Sequence, residues 1–272
     1  MFAVNKFKAL AGAALVAASV LLTGCGSENS SEGPLKVGVM AGPEADVMKV
    51  AADIAKKDHD VNVELVEFSD YVSPNVALAD GSIDANAFQH KPYLDSMIRD
   101  RGFKLAAAGN TFVYPIGAYS KKIKDISELK DGAKVAIPND PSNEGRTLIL
   151  LDKKGFIKLK DINNLEATPA DIVENPKNLK FIELDAAQLP RSLDDVDLAF
   201  INSTYSVPAG LLPARDALLV EGKDSPYVNL IVAREDNKDD PRIKALVESY
   251  HTQAVEDKAK ELFKGSAVPG WK

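Results

Sequence analysis

The stretch Val135–Arg146, VAIPNDPSNEGR, carries residue types well suited to binding a small anion. The compact apolar run Lys134–Ile137 predicts a buried strand, followed by a tight polar turn and a helix from Pro141. Asp140 suits the N-cap, and Pro141 suits the first helical position, where a missing N–H costs nothing. A helix start of this kind offers unpaired backbone N–H groups and the positive end of the helix dipole. Arg146, about one turn in, adds a planar fork suited to bidentate binding of a carboxylate. Asn139, Ser142 and Asn143 place small polar groups around the same point. The turn lacks the Gly-Lys-Ser/Thr of a phosphate loop, which favours a carboxylate over a nucleotide. The purely structural alternative is an ordinary strand–turn–helix with Arg146 on its surface.

The flanking elements must position that turn. Leu35–Met40 predicts a first strand, Glu44–Lys57 a helix with apolar spacing at Val47, Val50, Ala51 and Ile54, and Val61–Phe68 a second strand. A strand–helix–strand opening predicts a parallel pair in an open α/β sheet. Val76–Asp80 reads as a short helix, Ile83–Phe88 as a strand, Tyr93–Arg101 as a helix stopped by Gly102, and Lys104–Ala107 as a strand. Thr111–Ser120, TFVYPIGAYS, is apolar and broken by Pro115 and Gly117, and is expected to cross from one sheet to another. Asp125–Leu129 reads as a short helix, and Leu179–Leu184, Leu198–Ile201 and Ala217–Val220 as strands. Short helical segments are expected near Ala186–Leu193 and Thr204–Leu211. Tyr227–Arg234 is the expected return crossing, and Pro241–Lys264 reads as one long amphipathic helix.

Two crossings imply two lobes, residues 35–117 plus 230–272 and residues 118–229, with a ligand cleft between them at the carboxyl ends of the strands. Polar and aromatic residues falling at those ends are Tyr71, Asn86, Phe88, Gln89, His90 and Tyr93 from the first lobe. Asn139, Asn143, Arg146, Asn202 and Tyr205 come from the second, and Asn229 lies in the return crossing. Each has a structural alternative: Tyr71, Phe88 and Tyr93 as core, Asn202 and Asn229 as turn formers or caps, and His90 as a helix N-terminal residue.

Composition narrows the function classes. The chain has 272 residues, 45% of them hydrophobic, and a net charge of −7; without residues 1–24 it holds 31 basic against 40 acidic residues, a net −9. An acidic body without a basic cluster is unsuited to nucleic acid, and none is expected as a partner. His59, His90 and His251 are far apart and Cys25 is the single cysteine, so neither a zinc site nor a Cys–His pair is supported, and no metal or other cofactor is expected.

At the N-terminus, Lys6 and Lys8 precede an apolar run from Ala9 to Leu22, shaped like a signal peptide spanning residues 1–24. It ends Leu22-Thr23-Gly24-Cys25, which resembles the bacterial lipobox and implies cleavage before Cys25 and lipidation there. Residues 25–34, rich in Ser, Gly and Glu, predict a flexible tether to a lipid anchor.

Five separated motifs, DANAFQHKPYLD, GNTFVYPIGAYSKKIK, VAIPNDPSNEGR, LPRSLDDVD and SPYVNLIVAREDNKD, occur in an order that resembles the NlpA lipoprotein family, the methionine-binding lipoproteins of bacterial ABC importers. The resemblance runs from the lipobox to the terminal VPGW. It implies an α/β, two-lobed periplasmic-binding-protein fold of type II, with two interdomain crossing strands and a cleft between the lobes. It implies Arg146, with Asn143 nearby, as the anchor of an amino acid's α-carboxylate, and Asn202 and Asn229 as partners of the ammonium and carboxylate. Tyr71, Phe88, His90 and Tyr93 are implied as the side-chain pocket. Aromatic walls suit a thioether, at roughly 0.3–1.5 kcal/mol per sulfur–ring contact. Glu144 stands where many relatives are expected to carry an apolar residue; it is favourable in a first helical turn and is expected to point away from the carboxylate.

The resulting expectation is a non-enzymatic, monomeric, lipid-anchored binding protein of the cell envelope. It would capture methionine, L or D, and hand it to an ABC permease and its ATPase. Alternatives are another amino acid derivative or a dipeptide as ligand, or a surface lipoprotein with an adhesion role. A secreted hydrolase using His90 is disfavoured: there is no G-x-S-x-G elbow, no cysteine nucleophile in the body and no metal-ligand spacing.

Overall fold

Leu35–Met40 (β1) is buried at every position but Lys36, as its continuous apolar run requires of an inner strand. Pro43–His59 (α1) follows and leads to Val63–Phe68 (β2), which runs parallel to β1 with Leu35 opposite Val63. Ser73–Ala79 (α2) leads into Ala85–His90 (β3), parallel to the other edge of β1 and buried along its whole length. Lys91–Arg101 (α3) ends at Gly102, whose positive φ of 67° closes the last turn. Leu105–Val113 (β4) completes the first run. These coordinates come from a computed structural model that describes residues 33–222 and 225–272, in which Gly33–Lys272 is one compact unit. The expected signal segment 1–24, the lipidation site Cys25 and the tether as far as Glu32 lie outside the described residues.

The chain then enters a second sheet. Ile116–Tyr119 (β5) is followed by a 3-10 turn, by Lys134–Pro138 (β6) and by Pro141–Lys153 (α4). Lys158–Leu159 (β7) and Ile172–Glu174 (β8) form a small antiparallel pair that the sequence reading did not anticipate. Lys180–Leu184 (β9), the short helix Leu189–Ser192 (α5) and Leu198–Asn202 (β10) come next. Single-turn helices Ser203–Ser206 (α6) and Pro213–Asp216 (α7) precede Leu219–Val220 (β11). Val228–Arg234 (β12) returns to the first sheet, and Pro241–Tyr250 (α8), Gln253–Leu262 (α9) and Val268–Pro269 (β13) finish the chain.

The larger sheet has the order β13-β4-β12-β3-β1-β2 and the second β11-β5-β10-β6-β9. In the first, β12 runs antiparallel between β3 and β4; in the second, β6 lies parallel to both β9 and β10. One apolar core packs α1, α8 and α9 on the first sheet around Val37, Met48, Phe112 and Leu246. A second packs α4 on the other sheet around Val135, Leu148, Leu151 and Phe200. Fully burying side chains of this size stabilises by about 1.5–3 kcal/mol each.

Three expectations change. The segment 111–120 is two strands, not one: β4 ends at Val113 and β5 begins at Ile116, because Pro115 has no N–H to continue a ladder. Ile116 and Gly117, expected in the first lobe, pair with β10 and β11, whereas Val228 and Asn229, expected in the second, pair with β4 and β3. The expected single helix 241–264 breaks between Tyr250 and Gln253. At the break, His251 Nε2 lies 2.7 Å from the Asn110 carbonyl and its ring stacks on Trp271 at 4.7 Å, while Ser249 Oγ donates back to the Ala245 carbonyl. Such back-bonding bends helices, and the tertiary contacts of His251 outweigh the continuing apolar period.

Candidate functional site

Side chains from the carboxyl ends of β2, β3 and β10, from the first two turns of α4, from α6 and from β12 converge on one cavity. Its lining includes Tyr71, Phe88, His90, Tyr93, Asn143, Arg146, Asn202 and Asn229. Two expected members stand elsewhere. Asn139 is exposed, with its backbone N–H donating to the Leu184 carbonyl at 2.9 Å, because the β6–α4 turn aims it away. Tyr205 lies one layer behind: its ring packs on Tyr71 at 5.1 Å and its hydroxyl donates to the Ser69 carbonyl at 3.3 Å. Gln89, Tyr114, Ser203 and Thr204 also line the cavity. Only Gln89 among them carried a local signal, its place at a strand end. Asn86 lies off the cavity, in a buried amide network with Asn75 and Gln89 at 2.6–3.0 Å that ties α2 to β3.

One end of the cavity is aromatic. Phe88 packs edge-on against Tyr93 at 5.9 Å, Tyr71 lies 5.9 Å from Phe88, and Met40 is buried in the same cluster. The Tyr93 hydroxyl donates to the Tyr71 carbonyl at 2.7 Å, which fixes the wall.

The other end is polar and organised around Asn143. Asp140 caps α4 as expected: its Oδ1 accepts from the Asn143 backbone N–H at 3.0 Å. Both Asp140 oxygens also accept from Asn143 Nδ2, at 3.0 Å each, which turns Asn143 Oδ1 toward the cavity. Burial raises the Asp140 carboxyl above its usual range, against the lowering pull of Asn143, Ser142 and Arg146. Into Asn143 Oδ1 converge Asn202 Nδ2 at 2.9 Å, His90 Nε2 at 3.2 Å and Arg146 Nη1 at 3.5 Å.

The tautomer of His90 follows from its position. Its Nδ1 accepts from the Tyr93 backbone N–H at 3.2 Å as the N-cap of α3, so the proton sits on Nε2, which donates to Asn143. Burial, and secondarily the Arg146 charge, lower its pKa to about 3, so the ring is neutral at physiological pH. The structural role foreseen for His90 as a helix N-terminal residue and its place in the cavity are therefore one arrangement.

Arg146 is buried at 3% exposure, but its fork is not open to a bidentate ligand as expected. Nε lies 3.1 Å from each Glu221 oxygen, and Nη2 donates to Glu221 Oε2 and, at 3.0 Å, to the Tyr114 carbonyl. The guanidinium stacks on Tyr227, 4.5 Å from the ring centroid. Asn202 Oδ1, by contrast, is a buried acceptor with no donor. Glu144 does not line the cavity, yet it is not solvated either: it is 6% exposed and its Oε1 has no partner. Burial first, then the nearby Glu183, Asp140 and Asp171, raise its pKa to about 7.

Residues 35–271 match the family model described as NlpA lipoprotein. The chain belongs to the NlpA lipoprotein family. It is 57% identical over 268 residues to the D-methionine-binding lipoprotein MetQ of Salmonella typhi, covering 98% of this chain and 99% of that one. A solved structure described as the methionine binding protein MetQ superposes with a TM-score of 0.86 at 59% identity, over 88% of this chain and 98% of that one. A nutrient binding protein from Burkholderia cenocepacia, solved bound to methionine, gives 0.84 at 51% identity over 87% and 99%. The α/β architecture of two sheets is thus that of the methionine-binding members of the periplasmic-binding-protein fold. No helix among the described residues of this family member is long and apolar enough to cross a membrane.

Proposed function

We propose that this chain is a lipid-anchored binding protein that captures methionine and delivers it to an ABC importer, without chemistry on the ligand. The observation that carries the reading is a cavity with an aromatic end and a hydrogen-bonding end, where Asn202 and Arg146 both donate to Asn143 Oδ1 and Asn202 Oδ1 is an orphaned acceptor. An α-ammonium supplies the donor that Asn202 lacks, and an α-carboxylate accepts from Nη1. Buried charges of a zwitterion need such partners once water is expelled. The thioether then lies against Tyr71, Phe88 and Tyr93, the soft contact sulfur favours. Relatives and structural neighbours whose names and bound ligand specify methionine support the same choice.

The lobes are read as the two sheets with their helices, hinged at Tyr114–Pro115 and at Ser225–Tyr227. Contacts that join elements of the two sheets include His90 to Asn143, Thr204 Oγ1 to Glu44 Oε1 at 2.5 Å, and Tyr205 to Ser69. They describe a closed form, and their rupture is the opening motion. Anchoring through Cys25 places the body at the envelope face of a bacterial membrane, as a monomer.

The test is calorimetric titration with L-methionine and then D-methionine, after unfolding and refolding to strip trapped ligand. One-to-one binding of either enantiomer is expected. No heat and no thermal shift with both would refute the reading, and a dipeptide screen would follow.

A further inference from the structure

A buried arginine in a ligand cavity ordinarily attracts any anion. Here its charge is answered before a ligand arrives. Glu221 occupies the Nε and Nη2 edge of the guanidinium, the Tyr114 carbonyl takes a further Nη2 donor, and Tyr227 covers one face. Nη1 is the donor left pointing toward Asn143 Oδ1 and the cavity. Glu221 is itself held in place: its Oε1 accepts from Ser225 Oγ at 2.9 Å, and its backbone N–H donates to the Ile116 carbonyl at 3.1 Å. Its side chain is 12% exposed, so water screens the pair little.

We propose that Glu221 is a specificity-determining and positioning residue: it fixes the Arg146 fork with one donor toward the cavity and cancels its charge, so that the site accepts ligands of zero net charge and rejects anions of the same shape. The inference rests on the reading of the ligand as an amino acid. A ligand carboxylate meets a dipole-like Arg–Glu pair instead of a free cation, and a neutral His90 adds no positive charge. The carboxylate must therefore bring its own cation, and the α-ammonium does so while satisfying Asn202 Oδ1. A bidentate, uncompensated arginine would bind the deaminated acid nearly as well as the amino acid.

The experiment compares L-methionine with 4-(methylthio)butanoate, which keeps the carboxylate and thioether and lacks the ammonium, on the full chain in detergent at neutral pH. The wild type is expected to favour methionine at least 100-fold. Glu221→Gln, by freeing the Arg146 charge, is expected to narrow that ratio tenfold or more, with a salt-dependent gain for the anion. A purely structural role would weaken both ligands alike, and an unchanged ratio would overturn the proposal. Should Glu221→Gln fail to fold, Ser225→Ala loosens the same carboxylate and is expected to narrow the ratio in the same direction; no change there overturns it as well. If the wild type binds no methionine, the amino-acid reading fails by itself. The charge proposal is then judged by the melting temperature with the anion alone, which must rise for Glu221→Gln and not for the wild type.

Discussion

Glu144 offers a way to measure what an unanswered buried carboxylate does to this fold. Its pKa is raised from 4.5 to about 7 by burial and by Glu183, Asp140 and Asp171. A carboxyl whose folded pKa exceeds its unfolded value holds its proton longer in the native state. Its contribution is therefore most favourable below pH 4.5 and is lost as pH rises from 4.5 through 7. At about 1.36 kcal/mol per pKa unit, the loss approaches about 3 kcal/mol by pH 8. Glu144→Gln, neutral throughout, removes this dependence. In urea titrations of the ligand-free chain, the variant is expected to match the wild type below pH 4.5 and to exceed it increasingly up to about pH 8. Taking the difference between the two proteins cancels other titrations, including that of His90, which acts in the opposite sense by losing stability as pH falls from 6.5 through about 3. Glu183→Gln should reduce the Glu144 effect by removing the largest like charge. A variant-minus-wild-type difference that stays flat between pH 5 and 8 would show that Glu144 is solvated, and the argument from burial would fall.

The remaining expectations concern the cavity and its supports. Arg146→Ala should weaken methionine binding by about 2–5 kcal/mol and also lower the melting temperature, because Glu221 is left buried without its cation; adding Glu221→Gln should restore stability but not affinity. Recovery of binding in that double variant would remove Arg146 from the carboxylate role. Asn202→Ala should weaken binding by about 1–3 kcal/mol, read by calorimetry, and lower the melting temperature as well, because it also removes the buried bond from its Nδ2 to Asn143 Oδ1; equal affinity would mean that no ligand donor reaches its Oδ1. Gly145→Ala places a Cβ 2.3 Å from the Leu165 carbonyl oxygen, a backbone atom that cannot swing aside, and should cost about 1–3 kcal/mol in urea unfolding.

What was legible in the sequence was whatever acts locally. The strand, cap and helix of Val135–Arg146 form as their residue types dictate, because Asp140, Pro141 and the apolar run are each neighbours in the chain. The aromatic and amide residues at strand ends reached the cavity because a parallel sheet exposes those ends. Tyr205 and Asn139 departed from expectation for want of one dihedral's worth of information: each sits at the right place in the chain but faces the wrong way. Glu221 was illegible. It pairs with Arg146 across 75 residues, and nothing in VEGKDSPY distinguishes it from a surface acid. The break at His251 was hidden for a similar reason, since its partners Asn110 and Trp271 come from distant segments.

The same contrast explains how the polar end of the cavity is built. A cap satisfies backbone donors that water would otherwise serve, so Asp140 is needed for α4 whatever the protein binds. By also holding Asn143 Nδ2, Asp140 turns a helix-capping carboxylate into the support of the side chain that meets His90, Asn202 and Arg146. His90 does likewise, capping α3 with Nδ1 and reaching across to the second sheet with Nε2. Groups whose orientation is set by a helix terminus have little freedom to relax within their own sheet. Within each sheet the donors and acceptors are therefore pre-oriented. Site precision here comes from helix ends on two different sheets, each of which fixes one half of the contact between His90 and Asn143.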